Sequence, residues 1–294
     1  MRALVTGGAG FVGSHLVDAL VARGDDVVVM DDLSTGNRAF VNPAATLREH
    51  DVRVPFEADV DVVFHLAAQA DVGTSMERPS FDAEVNVVGT VNALEAARAA
   101  GARLVFSSTG GAIYGSVDAP AGEDSALLPV SAYGLAKRSA EVYLDGWNRI
   151  FGTCHVALRF ANVYGPRQSA SLEGGVVAIF LERLAAGEPT TIFGDGTITR
   201  DFVHVDDVVR ALLLAAEHDG GVFNVGTGIE TSVADLHALC ERVLRVHAPP
   251  ALGPPRAGDA SRSVLDTTRA ARDLGFTAAV ALADGIESTV AAPA

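Results

Sequence analysis

Residues 6–16 read TGGAGFVGSHL, directly after the short apolar run ALV at residues 3–5. An apolar strand, a turn carrying Gly7, Gly10 and Gly13, and an apolar helical pattern together open a strand–turn–helix unit. Glycine at such a turn permits a tight bend and lets backbone N–H groups approach a pyrophosphate at the helix N-terminus. The spacing is GxxGxxG rather than GxGxxG, and glycines alone would also suit a junction that needs them only for packing. The next strand pattern, DVVVMD, ends at Asp31, 18 residues beyond Gly13. A carboxylate there can bind the adenosine ribose hydroxyls and repel a 2′-phosphate, so the two features together predict NAD rather than NADP. The plainer reading of Asp31 is a strand-end turn residue. Asp32 beside it suits the turn itself.

The same alternation continues outward from this unit. Strand-like runs DVVFHLAA, RLVFSS and HVALRFANVYG are separated by helical patterns over Val12–Arg23, Phe81–Ala100 and Ala132–Phe151. Strands alternating with helices imply right-handed crossovers, hence an α/β fold: a Rossmann-like doubly wound parallel sheet. After Pro166 the elements shorten and Gly and Pro become more frequent. Residues 1–165 are therefore read as the dinucleotide-binding domain and 166–294 as mainly a smaller C-terminal substrate-binding lobe. Residues 205–225 are expected to return to the main sheet, through a helix over Val205–Glu217. The Pro-rich stretch APPALGPPRAG, Ala248–Gly258, is read as a loop.

The 294 residues carry 22 basic and 37 acidic side chains, a net charge of -15. That balance argues against a nucleic-acid or anionic-membrane partner, though a local basic pocket for a phosphorylated small molecule remains compatible with it. Cys154 and Cys240 are the only cysteines; they suggest neither a disulfide framework nor a cysteine metal site. No metal site is expected. No apolar run approaches the roughly 20 residues of a membrane span, and no leader pattern precedes the first strand. The expectation is a soluble cytoplasmic protein.

Two further stretches carry chemistry. SAYGLAKRSAE places Tyr133 and Lys137 four residues apart, on one helical face. A phenol is a poor base at neutral pH, but a nearby ammonium stabilises its phenolate. Thr109, in STGGAIYG at the end of the RLVFSS strand, can bond the same substrate hydroxyl and relay its proton. A pair at this spacing often merely decorates a helix; beside the glycine turn and the hydroxyl-bearing strand end, a catalytic reading of Thr109, Tyr133 and Lys137 is preferred.

With these residues in view, the chain resembles the extended short-chain dehydrogenases/reductases, specifically the nucleotide-sugar epimerase/dehydratase family. The resemblance spans nearly the whole sequence: TGGAGFVGSHL, DDLSTGN, HLAAQADV, NVVGT, SAYGLAK, RFANVYGPRQ, GGVVAIF, IFGDGTITRDFVHVDD and PPRAGD. It implies that Phe11, Val12, Asp31, Asp32, Leu33 and Gly36 line the adenosine side. Asp51 and Val52 would contact adenine, and Leu66, Ala67, Ala68 and Asn86 would face the middle of the cofactor. Lys137 would also bind the nicotinamide ribose. A UDP-sugar would meet Tyr133, Thr109, Asn162, the Val176–Val177 backbone and Thr191, Ile192 and Phe193. Arg200 and Arg256 would clamp its diphosphate, as planar guanidinium groups do well, with Asp259 on its ribose. Singly, each arginine also reads as an ordinary surface residue. His204 is read as structural, and Asp206–Asp207 as a helix cap.

The family contains dehydratases, decarboxylases, reductases and epimerases. Its dehydratases carry an Asp–Glu pair just after the Ser/Thr position, where this chain has Gly110 and Gly111, neither able to transfer a proton. The stretch is one residue longer than in many relatives, so the register around Gly111 and Ala112 is left open. The resemblance implies reversible C4 epimerisation of a UDP-hexose through a 4-keto sugar, with glucose and galactose first. Small residues at 110–112 would leave the ketone room to turn. A UDP-glucuronate/galacturonate 4-epimerase is the alternative, and a catalytically idle NAD sensor is a third reading. A homodimer built from helices around 86–100 and 132–151 is implied as well.

Overall fold

A computed structural model describes residues 1–170, 175–254 and 260–292. The first part of the chain runs β1 (Arg2–Thr6), α1 (Phe11–Ala22), β2 (Asp26–Asp31), β3 (Thr46–Glu49) and β4 (Val62–His65). It continues with α2 (Val72–Glu77), α3 (Pro79–Ala83), α4 (Gly89–Ala100), β5 (Arg103–Thr109), α5 (Gly110–Ile113), α6 (Ala132–Phe151) and β6 (Val156–Phe160). Then come β7 (Asn162–Tyr164), α7 (Val176–Ala186), β8 (Thr191–Phe193), β9 (Thr199–His204), α8 (Val205–Ala215) and β10 (Gly221–Val225). The described chain closes with β11 (Glu230–Ser232), α9 (Val233–Leu244), β12 (Ala251–Gly253), β13 (Arg262–Ser263) and α10 (Leu282–Ala291).

Seven parallel strands form the main sheet in the order β10-β6-β5-β4-β1-β2-β3. Its inner strands are covered on both faces, which is why they read as unbroken apolar runs rather than alternating ones. One face packs Leu16, Val17 and Leu20 of α1 with Val208 and Leu212 of α8. The other packs Ala93, Leu94 and Ala97 of α4 with Ala140 and Leu144 of α6. Strand order reverses direction between β1 and β4. In a doubly wound sheet a crevice opens at that point, at the carboxyl ends of the strands.

Several elements depart from the sequence reading. The edge strand β3, TLRE, has an exposed and half-buried pattern and so carries no apolar signal. The predicted helix 81–100 is three pieces, with a widened π turn over Glu84–Val88 between α3 and α4. HVALRFANVYG is two strands: β6 stays in the main sheet, while β7 leaves it to pair with β9, Asn162 opposite Phe202. Within the stretch read as a loop, β12 pairs in parallel with β8.

A second core holds the lobe together, with Val177, Phe180 and Leu184 of α7, Ile192, Phe202, Leu236, Cys240 and Ile286. The chain crosses between the two cores more than once. Helix α8 packs on α1, β10 completes the main sheet, and Leu265, Ala270, Leu274 and Phe276 return again to the main core. Among the described residues no helix is long and apolar enough to cross a membrane.

Candidate active site

The crevice at the switch point is a cleft of about 2270 Å³. Single small-ligand sites usually occupy roughly 300–1,000 Å³, so this one has room for two ligands side by side. Its floor is the glycine turn, its middle the strand ends of β4 and β5, and its far wall the lobe.

At the floor, Gly7 has φ +70°, and a Cβ there would lie 2.6 Å from the Ala67 nitrogen. A Cβ on Gly13 would sit 2.1 Å from the Gly7 carbonyl oxygen. Glycine is therefore a steric requirement at both positions. Gly10 caps α1 with no side-chain hydrogen bond, and the first turn contains no acidic residue. With Gly10, Phe11, Val12 and Gly13 all lining the cleft, that open helix terminus suits the pyrophosphate of a dinucleotide.

Asp31 ends β2 buried, its carboxylate accepting from the backbone N–H groups of Ala9 at 3.0 Å and Leu33 at 2.9 Å. Burial pushes its pKa up, and those two bonds oppose the rise. Gly36 passes so close that a Cβ would lie 2.6 Å from Asp31 Oδ1. Asp32 accepts from Ser34 through both backbone and hydroxyl, the turn role read for it. Leu33, at φ +56°, contributes its backbone to Asp31, and it is not among the residues lining the cleft. Asp51 and Val52 do line it. Asp51 pairs with Arg53 at 2.6 Å, and those hydrogen bonds hold its pKa down.

Leu66, Ala67, Ala68 and Gln69 form the middle wall. Asn86 stands behind it. Its side chain accepts from the Gln69 N–H at 3.1 Å and donates to the Gln69 carbonyl and to Asp82, both at 2.9 Å. Asn86 thus clamps the wall from inside the protein, both N–H groups and its oxygen being engaged by Gln69 and by Asp82 of α3.

Tyr133 and Lys137 reach the cleft from the start of α6, whose cap is Ser131 accepting from the Gly134 N–H at 3.1 Å. Lys137 is 2 % exposed. Its ammonium donates to the Ser107 carbonyl at 2.9 Å and lies 5.9 Å from the Tyr133 ring centre. Burial lowers its pKa to about 8, against the opposing charges of Asp82 and Glu141. Thr109, the last residue of β5, accepts from the Ala112 N–H at 3.2 Å, which leaves its own O–H able to donate. Within STGGAIYG, α5 is a single helical turn over Gly110–Ile113. Gly110 abuts Leu265, where a Cβ would meet a methyl at 2.6 Å. Gly111 faces the gap between Asn162 and Thr109, with a Cβ 3.7 Å from the one and 3.9 Å from the other.

On the lobe side, Asn162 lines the cleft and donates to the Asp201 carbonyl at 3.2 Å. Val176 and Val177 begin α7 there. Thr191 and Phe193 face the cleft, whereas Ile192 points into the lobe core, 3 % exposed. Strand alternation requires this division of the three residues. Arg200 lines the cleft, donating to the Thr199 and Ala260 carbonyls at 2.9 and 2.7 Å. Arg256 and Asp259 lie outside the described residues.

Sequence reading missed other participants. Arg167 sits at the cleft, paired with Asp18 of α1 at 2.8 Å; its φ of +67° leaves no trace in residue type. Behind Thr109 and Lys137, the buried Glu141 receives Ser108 and a bidentate Arg159, and Arg159 reaches Tyr114. His204 is structural: buried, it caps α8 by accepting from the Asp206 N–H. The cap is therefore His204 rather than the two aspartates. Asp207 instead fastens the backbone N–H groups of Ala279 and Val280, each at 3.0 Å. Among the described residues no cluster of His, Cys, Asp or Glu could hold a metal ion.

The sequence model of the NAD dependent epimerase/dehydratase family matches residues 3–226. The chain belongs to this family. It is 47% identical over 305 aligned residues to the UDP-glucose 4-epimerase of Mycolicibacterium smegmatis, covering 99% of this chain and 97% of that one. A crystal structure of the Thermotoga maritima UDP-glucose 4-epimerase with UDP-glucose superposes with a TM-score of 0.95 at 44% identity, covering 99% and 98% of the two chains. The NAD complex of the Thermus thermophilus UDP-glucose 4-epimerase gives 0.91 at 40% identity, with the same coverage.

Proposed function

We propose that the protein is an NAD-dependent UDP-sugar 4-epimerase interconverting UDP-glucose and UDP-galactose. The observation that carries this reading is the arrangement around Thr109. A buried lysine and a tyrosine approach the hydroxyl-bearing strand end, and the turn beyond it offers Gly110 and Gly111 in place of proton-transferring side chains. The names of the relatives at 47% and 44% identity support the same activity.

NAD fits the open α1 terminus and Asp31, and when bound there it supplies a reversible hydride acceptor. Tyr133 takes the proton of the C4 hydroxyl. Lys137 stabilises the phenolate and holds the nicotinamide ribose, while Thr109 donates to the same sugar oxygen. Arg200, with Arg256, holds the diphosphate so that the 4-keto sugar turns without leaving. Gly111 leaves space for that turn between Thr109 and Asn162. Once the hydride is back on C4 from its other face, Tyr133 returns the proton to the C4 oxygen and the cycle closes.

The same reading includes a homodimer in the cytoplasm. Leu135, Val142, Tyr143, Ile150 and Phe151 are exposed apolar residues along α6, with Val88 nearby in sequence to α4, and a second copy would cover such a stripe. The activity is tested by incubating the protein with UDP-glucose and UDP-glucuronate separately and reading products by NMR. Conversion of UDP-glucose to UDP-galactose is expected. Turnover of the uronate alone would replace the assignment, and NAD binding with no turnover of either would indicate a sensor.

A further inference from the structure

We propose that Asp82 is a positioning residue for the reaction: its carboxylate clamps the Gln69 wall of the cleft and holds a buried negative charge against Lys137. This inference rests on the catalytic reading of Lys137. Asp82 lies on α3, 1 % exposed, where that short helix packs against α6. Its Oδ1 accepts from Gln69 Nε2 and from Asn86 Nδ2, each at 2.9 Å. Gln69 in turn exchanges bonds with the Asp71 backbone, 2.9 Å to its carbonyl and 2.7 Å from its N–H. The loop that lines the middle of the cleft is thereby fixed from below.

Asp82 Oδ2 has no hydrogen-bond partner among the described residues, although it is buried. A buried carboxylate oxygen without a partner costs free energy and calls for a reason. Among the described residues no cation forms a salt bridge with Asp82, whereas Glu141 is neutralised by Arg159 at 2.6 Å. The charge Asp82 opposes is Lys137. Burial pushes the Asp82 carboxyl above its usual range, and the Gln69 and Asn86 bonds together with the attraction of Lys137 oppose that rise; Asp82 in turn acts on Lys137 against burial, more strongly than Glu141 does. The other groups facing Lys137 add little negative charge. His65 on β4 is buried, with a pKa lowered to about 3, so it is neutral; Ser107 offers a carbonyl; Phe106 and Tyr133 offer ring faces, their centres 4.8 and 5.9 Å from the ammonium. Burial alone drives Lys137 toward the neutral amine, which could not stabilise a phenolate. Asp82 counteracts that drive without occupying the ammonium's remaining N–H donors.

Asp82→Asn is the decisive variant, since the amide oxygen still accepts from Gln69 and Asn86 while the charge is gone. The pH profile of kcat with UDP-glucose, and the NAD affinity across the same pH range, are measured for the wild type, Asp82→Asn and Glu141→Gln. Lys137 acts as the ammonium, so activity and NAD affinity are lost as pH rises through its pKa near 8. The alkaline limb is expected to move to lower pH in Asp82→Asn, and to move less in Glu141→Gln. A shift of about half a unit, roughly a threefold change in ammonium fraction above the midpoint, is the smallest that supports the proposal. A profile superimposable on the wild type, or a larger shift in Glu141→Gln, overturns it. If the wild type leaves UDP-glucose unchanged, the functional reading fails instead, and the NAD affinities alone decide the role of Asp82 by the same criterion.

Discussion

Gly13→Ala perturbs the turn proposed to hold the NAD pyrophosphate. The added Cβ would lie 2.1 Å from the Gly7 oxygen and 2.8 Å from both the Gly7 carbonyl carbon and Gly8 Cα. Ordinary contacts begin at 3.4 Å, and every atom met is backbone. The turn and the first turn of α1 must therefore separate by about 1 Å, an overpacking that typically costs roughly 1–3 kcal/mol. For a chain of this size that lowers Tm by roughly 2–10 °C. The same displacement moves the N–H groups at the α1 terminus off the pyrophosphate. A hydrogen bond to a charged group contributes about 1.5–3 kcal/mol, so misplacing one raises the Kd for NAD roughly 10–100-fold. Thermal unfolding and calorimetric titration with NAD measure the two effects separately. Gly10→Ala is the internal comparison: its Cβ meets only the Gly7 oxygen, at 3.2 Å, and the fall in Tm should be smaller. A Gly13→Ala protein with wild-type Tm and wild-type NAD affinity would refute the steric argument.

Asp31→Asn should narrow the preference for NAD over NADP, because the buried carboxylate that opposes a ribose phosphate is lost; equal preference in the wild type would remove the basis for that claim. Arg200→Ala should weaken UDP-glucose binding by roughly 10–100-fold, the equivalent of about 1.5–3 kcal/mol, with NAD binding nearly unchanged. An unaltered UDP-glucose Kd would displace the diphosphate from this arginine. Tyr133→Phe should lower kcat by about 10²–10⁴-fold, the usual contribution of a general acid–base group, while UDP-glucose still binds. Thr109→Val should be milder, and the reverse order of the two losses would reassign the base.

Much of this architecture is legible in the sequence because burial is local. Strands β1, β2, β5 and β6 are covered on both faces and announce themselves as apolar runs, and Tyr133 and Lys137 share a face because a helix returns every 3.6 residues. What stayed hidden depends on contacts distant in the chain. The TLRE of β3 and the ALG of β12 are strands only because a neighbour pairs with them; neither buries enough to leave a pattern. The return of Leu265 to Phe276 to the main core is likewise set by the fold. At the site, family resemblance drew Asn86 and Ile192 into contact with ligands, whereas the structure turns Asn86 inward to Gln69 and Ile192 into the lobe. The charges around Lys137 come from α3 and from α6 itself, and no spacing rule joins Asp82 to Lys137 across 54 intervening positions.

Epimerisation of UDP-glucose deuterated at C4 tests the central claim most directly. Proton exchange in this account passes between Tyr133 and the C4 oxygen, while the hydrogen on C4 leaves and returns within one closed site. The UDP-galactose formed should therefore carry deuterium at C4, seen by NMR as a missing C4 proton signal, with none released to solvent. UDP-galactose bearing solvent hydrogen at C4, or no UDP-galactose at all, would contradict it.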